Sequence, residues 1–317
     1  MTKARSKLLE EVSISLQEAG FDLSSQCDVR PSCFDLVARK DERLILVKVL
    51  ANIDSLSRED AMALHTVAHF FGATPLIVGM KTRRGPLDSG VVYKRYGVST
   101  IAPHSLKTVI AEQQLPREFI QRGGRFVAID GAKLKEVRIQ HKLSQEDLAQ
   151  CVQVSARAIL AYEKDEMDVS SDIAEQLEEV LETDLVIPID VLSESPKTLH
   201  QFQNPQQIPD LERRVNEFFD RIGMRVLWTD RAPFHVAAKE DGPPVISGVG
   251  SLKSWGLKKR VEILKSVSKV TESNAVIIVE EGKAKDRVSD LPVIRQLELE
   301  EIERSRDLKK IIEERAG

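Results

Sequence analysis

The stretch "LSQEDLAQCVQVSARAILAYEKDE", residues 143–166, decides how the whole chain is read. Ser144 carries the short hydroxyl side chain that caps a helix, and Asp147 puts an acid at that helix's positive end. The spacing predicts a helix from Ser144 to about Cys151. Ser155 caps a second helix running to Glu163, and Val152, Gln153 and Val154 leave room only for a sharp turn. Leu148, Ala149, Val154, Ile159 and Leu160 are expected to supply the apolar contacts where the helices cross, Ala149 being small enough to admit the second helix. A glycine would suit position 153, because the turn needs left-handed backbone. Gln153 is expected to adopt it at a cost of about 1 kcal/mol. Leu134 and Val137 begin a supporting helix upstream, and Ile173, Leu177, Val180 and Leu181 continue the 3.6-residue period downstream.

Leu143, Ser144, Gln145, Leu148, Ala149, Val154, Ser155, Ile159, Tyr162 and Glu163 together resemble the Cro-type, lambda-repressor-like helix-turn-helix of transcription regulators. That family's pattern is Leu-Ser-Gln-x-x-Leu-Ala, a Gly-Val-Ser turn, then Ile and Tyr-Glu, and Gln153 is the departure from it. The resemblance implies a five-helix DNA-binding domain over residues 131–190, whose second motif helix enters the major groove. Ser155, Ala156 and Arg157 would then face base edges, with Arg157 able to hold guanine O6 and N7 in its planar fork. Ser144 and Gln145, at the start of their helix, are placed for phosphate, with Lys142 and Lys164 and also Lys133 and Lys135 as further phosphate contacts. Double-stranded DNA is the implied partner, a homodimer the implied state, and the transcription machinery a further candidate partner. The acid-rich stretch 168–184 should face away from DNA. A helical pair kept only for packing or protein contact is the alternative, and the near-balanced charge over 131–166 speaks for it.

Working outward, "REFIQRGGRFVAID" alternates around Gly123-Gly124 and predicts a β-hairpin connector over 113–130. Arg122 and Arg125 at its tip are candidates for a wing on the phosphate backbone, against the plainer reading of a solvated turn. Before it, residues 1–112 alternate helix and strand: "SKLLEEVSISLQEAG", "FDLVARKDERLILVKVL", "REDAMALHTVAHFFG", "TPLIVGM". Residues 210–317 repeat that order after a Pro-, Gln- and Ser-rich linker over 191–209. Gly223 stands against Gly20, Phe234 against Phe34, and Ile294, Leu299 and Ile302 against Ile101, Leu106 and Val109. The expected fold class is therefore α/β with a central all-α domain, two α/β copies flanking the helix-turn-helix.

The helix, three strands, helix, strand order of each copy looks like the PD-(D/E)xK restriction-endonuclease fold. In that fold an Asp and a Glu-x-Lys hold a divalent metal and activate water. Asp35 and Lys48 fall on the pattern, but Leu46 stands where the second acid belongs, and the second copy has His235 and Gly248 at the corresponding places. Both copies are expected to be inactive, with no catalytic and no metal-binding residues. A metal-dependent nuclease guided by the helix-turn-helix is the rival, and a protein-protein adaptor a third reading. His65 and His69 have a spacing that can hold a transition metal, yet their core-like surroundings favour buried histidines. Lys253, Lys258, Lys259, Arg260, Lys265 and Lys269 make the strongest basic face, usable on a DNA backbone or on the acidic tail of another protomer, or simply solvated.

Composition narrows the field further. A chain of 317 residues with 42% hydrophobic and 30% charged residues suits two or three globular domains. No apolar run approaches the ~20 residues of a bilayer helix, and the N-terminus lacks a signal-peptide pattern, so cytoplasm is expected. Cys27, Cys33 and Cys151 form no C-x-x-C pair, which fits a reducing compartment. A net charge of -4 means that DNA contact must come from local patches. Phosphate-binding loops, dinucleotide glycine motifs and serine-nucleophile elbows are absent, and nothing points to a cofactor.

Overall fold

A computed structural model describes residues 3–194, 210–240, 242–280 and 282–316. From Ser195 onward, the linker expected over 191–209 lies outside the described residues. Two compact units are present: Met1–Val49, Leu56–Leu76 and Leu192–Gly317 form the first, Leu50–Ser55 and Ile77–Val191 the second.

The first unit opens with α1 (Lys3–Glu18), whose Leu8, Leu9, Val12 and Leu16 are buried. Strands β1 (Asp22–Leu23), β2 (Leu36–Lys40) and β3 (Arg43–Asn52) follow, β1 and β3 both pairing antiparallel with β2. The β2–β3 turn has no glycine, and Asp41 takes its left-handed position at φ 51°. Helix α2 (Arg58–Phe71) starts where the Ser57 hydroxyl accepts the Asp60 N–H, and stops at Gly72 with φ 66°. Next comes β4 (Thr74–Lys81), buried along its first six residues; β3 and β4 each contribute residues to both units.

In the second unit the strand order is β4-β6-β5-β7-β8-β10, with β5 Val91–Arg95 and β6 Val98–Ile101. A short helix α3 (Pro103–Lys107) leads to the expected hairpin, β7 (Glu118–Gln121) and β8 (Gly124–Ile129). Gly123 and Gly124, at φ 115° and 149°, occupy its tip, a conformation that favours glycine. Four helices follow: α4 (Gly131–Gln140), α5 (Gln145–Cys151), α6 (Ala156–Glu163) and, after the short strand β9 (Val169–Ser170), α7 (Ser171–Leu181). The fifth helix expected in 131–190 is not formed. Glu182 turns left-handed after α7, and the Glu178 carboxylate accepts the Leu185 and Val186 N–H groups. The chain then enters β10 (Val186–Ile187) on β8. Leu134, Leu148, Ala149, Ile159, Tyr162, Leu177 and Leu181 form one core with Val127 and Ile129 of β8.

The rest of the first unit repeats the opening order with α8 (Asp210–Arg221), β11 (Arg225–Trp228), β12 (Val236–Lys239), β13 (Val245–Val249), α9 (Trp255–Thr271) and β14 (Asn274–Val279). Strands β15 (Arg287–Val288) and β16 (Leu291–Arg295) and helix α10 (Ser305–Ala316) complete it. The strand order is β11-β12-β13-β14-β16-β15. Register repeats too: Leu36 faces Val47 as Val236 faces Ser247. Ile101, Leu106 and Val109 are buried, as are Ile294, Leu299 and Ile302.

Within the first unit the repeats touch. The Cys33 N–H donates to Arg231 O at 2.8 Å, Arg231 pairs with Asp60 at 2.6 Å, and the rings of Phe71 and Phe234 lie 5.8 Å apart. Helix α9 spends part of its expected basic face inside this unit: Lys259 pairs with Asp28 of the first repeat, while Arg260 donates to Ala232 O and Lys265 pairs with Asp290 within the second. The acidic tail offered as its partner in another protomer, residues 297–315, runs into α10, and its Leu299, Ile302, Leu308 and Ile312 lie in the core of the second repeat.

Candidate nucleic-acid interface

The 143–166 stretch folds as its caps dictate. The Ser144 hydroxyl accepts the Asp147 N–H at 3.0 Å while the Asp147 carboxylate accepts the Ser144 N–H at 2.9 Å, a reciprocal cap that closes two otherwise open donors. These bonds hold the Asp147 carboxyl below its ordinary range. Ser155 accepts the Ala158 N–H at 3.1 Å. Between the helices Gln153 has φ 54°, the left-handed conformation the turn requires.

Glu163, at the end of α6, is buried, and a buried carboxylate needs partners. Arg138 Nε on α4 donates to its Oε1 at 2.5 Å, and Gln145 Nε2 on α5 donates to its Oε2 at 2.7 Å. Arg138 Nη1 also donates to Leu143 O at 2.8 Å. One carboxylate thus ties α4, α5 and α6 together. Gln145 spends one amide hydrogen on it, and its other N–H and its carbonyl oxygen are left for contacts outside.

Burial divides α6 cleanly. Ile159, Tyr162 and Glu163 face inward, Ala156, Ala158 and Ala161 lie half-buried, and Arg157, Leu160 and Lys164 are exposed. Leu160 is therefore not the packing residue the sequence suggested. Lys142 is exposed at φ 58°, just past α4. Ser144, Ser155, Arg157, Lys142 and Lys164 are thus all on the surface. Lys133 donates to Asp184 O and Lys135 is exposed. At the hairpin Arg122 is exposed, whereas Arg125 pairs with Asp88 at 2.6 Å and Glu118 at 2.9 Å, which directs it along the sheet.

The nuclease-like positions have a different character. Asp35 is almost fully buried. Its Oδ1 meets Arg5 Nη2 at 2.5 Å, Arg30 Nη1 at 3.5 Å and Lys48 Nζ at 3.9 Å, and its Oδ2 accepts the Val49 N–H at 2.8 Å. Lys48 also donates to Ser32 O, and burial lowers its pKa. A divalent cation does not fit this set, because the one carboxylate is engaged on both oxygens, three cations crowd it, and Leu46 supplies no oxygen. At the matching place in the second repeat, His235 Nδ1 accepts the Val249 N–H at 2.9 Å; burial, with Arg260 nearby, lowers its pKa to about 4. His65 is buried while His69, one turn on, is exposed. No group of three or more His, Cys, Asp or Glu able to hold a metal occurs among the described residues.

Sequence reasoning missed Arg5 and Arg138. The second had a signal: Glu163 falls on the buried stripe of an amphipathic helix, so a cation on a neighbouring helix had to answer it.

Comparison with known proteins agrees with this geometry. Residues 5–116 match the PD-(D/E)XK superfamily domain and residues 134–187 a helix-turn-helix family. No solved structure matches. Proteins bearing the description "Putative HTH-type transcriptional regulatory protein" are similar throughout. The one from Thermococcus kodakarensis is 36% identical over 98% of this chain and 96% of its own length. That from Pyrococcus horikoshii is 36% identical over 97% of each, and that from Methanobrevibacter smithii 34% identical over 98% of each. Matched almost end to end at this level, the chain belongs to this family of archaeal HTH-type transcriptional regulatory proteins.

Proposed function

We propose that the protein is a sequence-specific DNA-binding transcription regulator, acting as a homodimer on double-stranded DNA in the cytoplasm. One observation carries the reading: α6 turns an exposed, cation-bearing stripe outward while the Arg138–Glu163–Gln145 network fixes the helices that present it. Arg157 reads guanine, Ser155 and Ala156 approach the neighbouring base edges, and Ser144, Gln145, Lys142 and Lys164 hold phosphates. Two such helices one duplex turn apart give a dimer its operator affinity. Contact with the transcription machinery then falls to other faces of the chain. Selection of bound sequences from random duplexes tests the reading, with light scattering to give the size of the complex. Arg157→Ala should weaken binding and relax preference at one base pair; unchanged affinity and preference would remove Arg157 from the role.

The α/β repeats are, in this reading, two nuclease-like scaffolds that cleave nothing. Support comes from the crowding of Asp35 by Arg5, Arg30 and Lys48 and from His235 in the second repeat. The superfamily match over residues 5–116 favours the rival, a metal-dependent nuclease. Incubating the protein with supercoiled plasmid and Mg²⁺ or Mn²⁺ separates the two. Intact plasmid is expected, and cleavage that disappears in Asp35→Ala would establish the rival.

A further inference from the structure

Leu160 is the anomaly of α6. It exposes 38% of its surface, and it stands outside the apolar core that takes in Ile159 and Tyr162 on either side. A helix needs no leucine on a solvated face, where Glu, Lys or Gln forms helix about as well. Three residues separate it from Arg157 and four from Lys164, so the three side chains are neighbours on one surface. On the other side of Leu160 around the helix comes Glu163, the one acid of α6, turned inward and held by Arg138 and Gln145. An apolar side chain thus lies beside two cations, at the rim of a face from which the helix's own carboxylate has been withdrawn.

That combination fits the floor of a polyanion's groove. The apolar group a DNA duplex offers in its major groove is the C5 methyl of thymine. We propose that Leu160 reads thymine, packing on its methyl group beside the base pair that Arg157 contacts. This rests on the reading of α6 as the recognition helix. The preferred half-site then contains a guanine and, within a base pair or two, a thymine.

The test uses the full-length protein and the duplex it selects from a random pool. Each thymine of that duplex is replaced in turn by uracil, which removes the methyl group and leaves every hydrogen-bonding atom in place. Burying one methyl corresponds to about fourfold in affinity. Wild-type protein should bind about fourfold more weakly at one or two uracil positions. Leu160→Ala should lose that discrimination, and Arg157→Ala should keep it. Equal binding of thymine and uracil duplexes by the wild type would overturn the proposal, and so would discrimination that persists in Leu160→Ala. A folding defect in Leu160→Ala, seen by circular dichroism, would place the side chain in the core and overturn it as well. Failure of the wild type to bind any duplex is a separate outcome, which ends the DNA reading itself.

Discussion

Asp35 and His235 perform the same backbone task in the two repeats: each accepts the N–H of the second residue after the strand position paired to its own backbone, Val49 at 2.8 Å and Val249 at 2.9 Å. The backbone N–H groups of Asp35 and His235 likewise donate to Val47 O and Ser247 O. What persists between the repeats is therefore a side-chain acceptor just ahead of β2 or β12 that ties it to the neighbouring strand, β3 or β13.

Acid should expose the difference between them. His235 titrates near its ordinary 6.5 in the unfolded chain but at about 4 when folded. The unfolded state binds more protons between those values, so stability is lost as pH falls through this window, at no more than about 1.4 kcal/mol per pH unit. His235→Asn keeps an acceptor without a proton to gain. Urea unfolding at pH 4 to 7 should show a shallower decline for the variant.

Removing one partner from the buried Arg138–Glu163 pair leaves an uncompensated charge. Arg138→Met should destabilise the protein by roughly 3–5 kcal/mol, and adding Glu163→Leu should restore much of the loss. Denaturant midpoints for the two singles and the double variant give the coupling.

Gln153 holds a left-handed conformation at φ 54°. Gln153→Gly should raise stability by about 1 kcal/mol and leave the selected DNA sequence unchanged. A lower melting temperature would mean that the side chain makes a compensating contact.

Gly131 begins α4 against the C-terminal end of α6 and the residues just after it. A Cβ there would stand 2.4 Å from Tyr162 O and 2.8 Å from Asp165 Oδ1, and the first of these is backbone that cannot swing away. Gly131→Ala should cost about 1–3 kcal/mol and weaken DNA binding by displacing α6, which paired melting and gel-shift measurements can follow.

The legible parts of this fold were those fixed locally. Ser144, Ser155 and the turn at Gln153 are stated by neighbours within four residues, and their geometry came out as read. Repetition over long spans was legible too, because Gly20, Phe34 and Ile101 recur in the same order as Gly223, Phe234 and Ile294. What depends on distant partners was not. Leu160 looked like core because periodicity alone cannot assign the edge of an apolar stripe. The guanidinium of Arg5 on Asp35 joins residues 30 positions apart, with no pattern between them. After the fourth helix of 131–190 the chain pairs Val186 and Ile187 with β8 in place of a fifth helix, a long-range contact that no local propensity announces.

That strand has one more consequence. Besides its hairpin partner β7, β8 pairs with β9 and β10, and the Asp130 N–H bonds Leu185 O. A fragment cut at 131–190 would keep β9 and β10 and discard the strand they pair with, along with Val127 and Ile129 of their shared core. The reading head is thus not a detachable cassette. Grafting it onto another protein, or replacing it with a foreign helix-turn-helix, requires the transplant to begin upstream of Glu118, so that the hairpin travels with it.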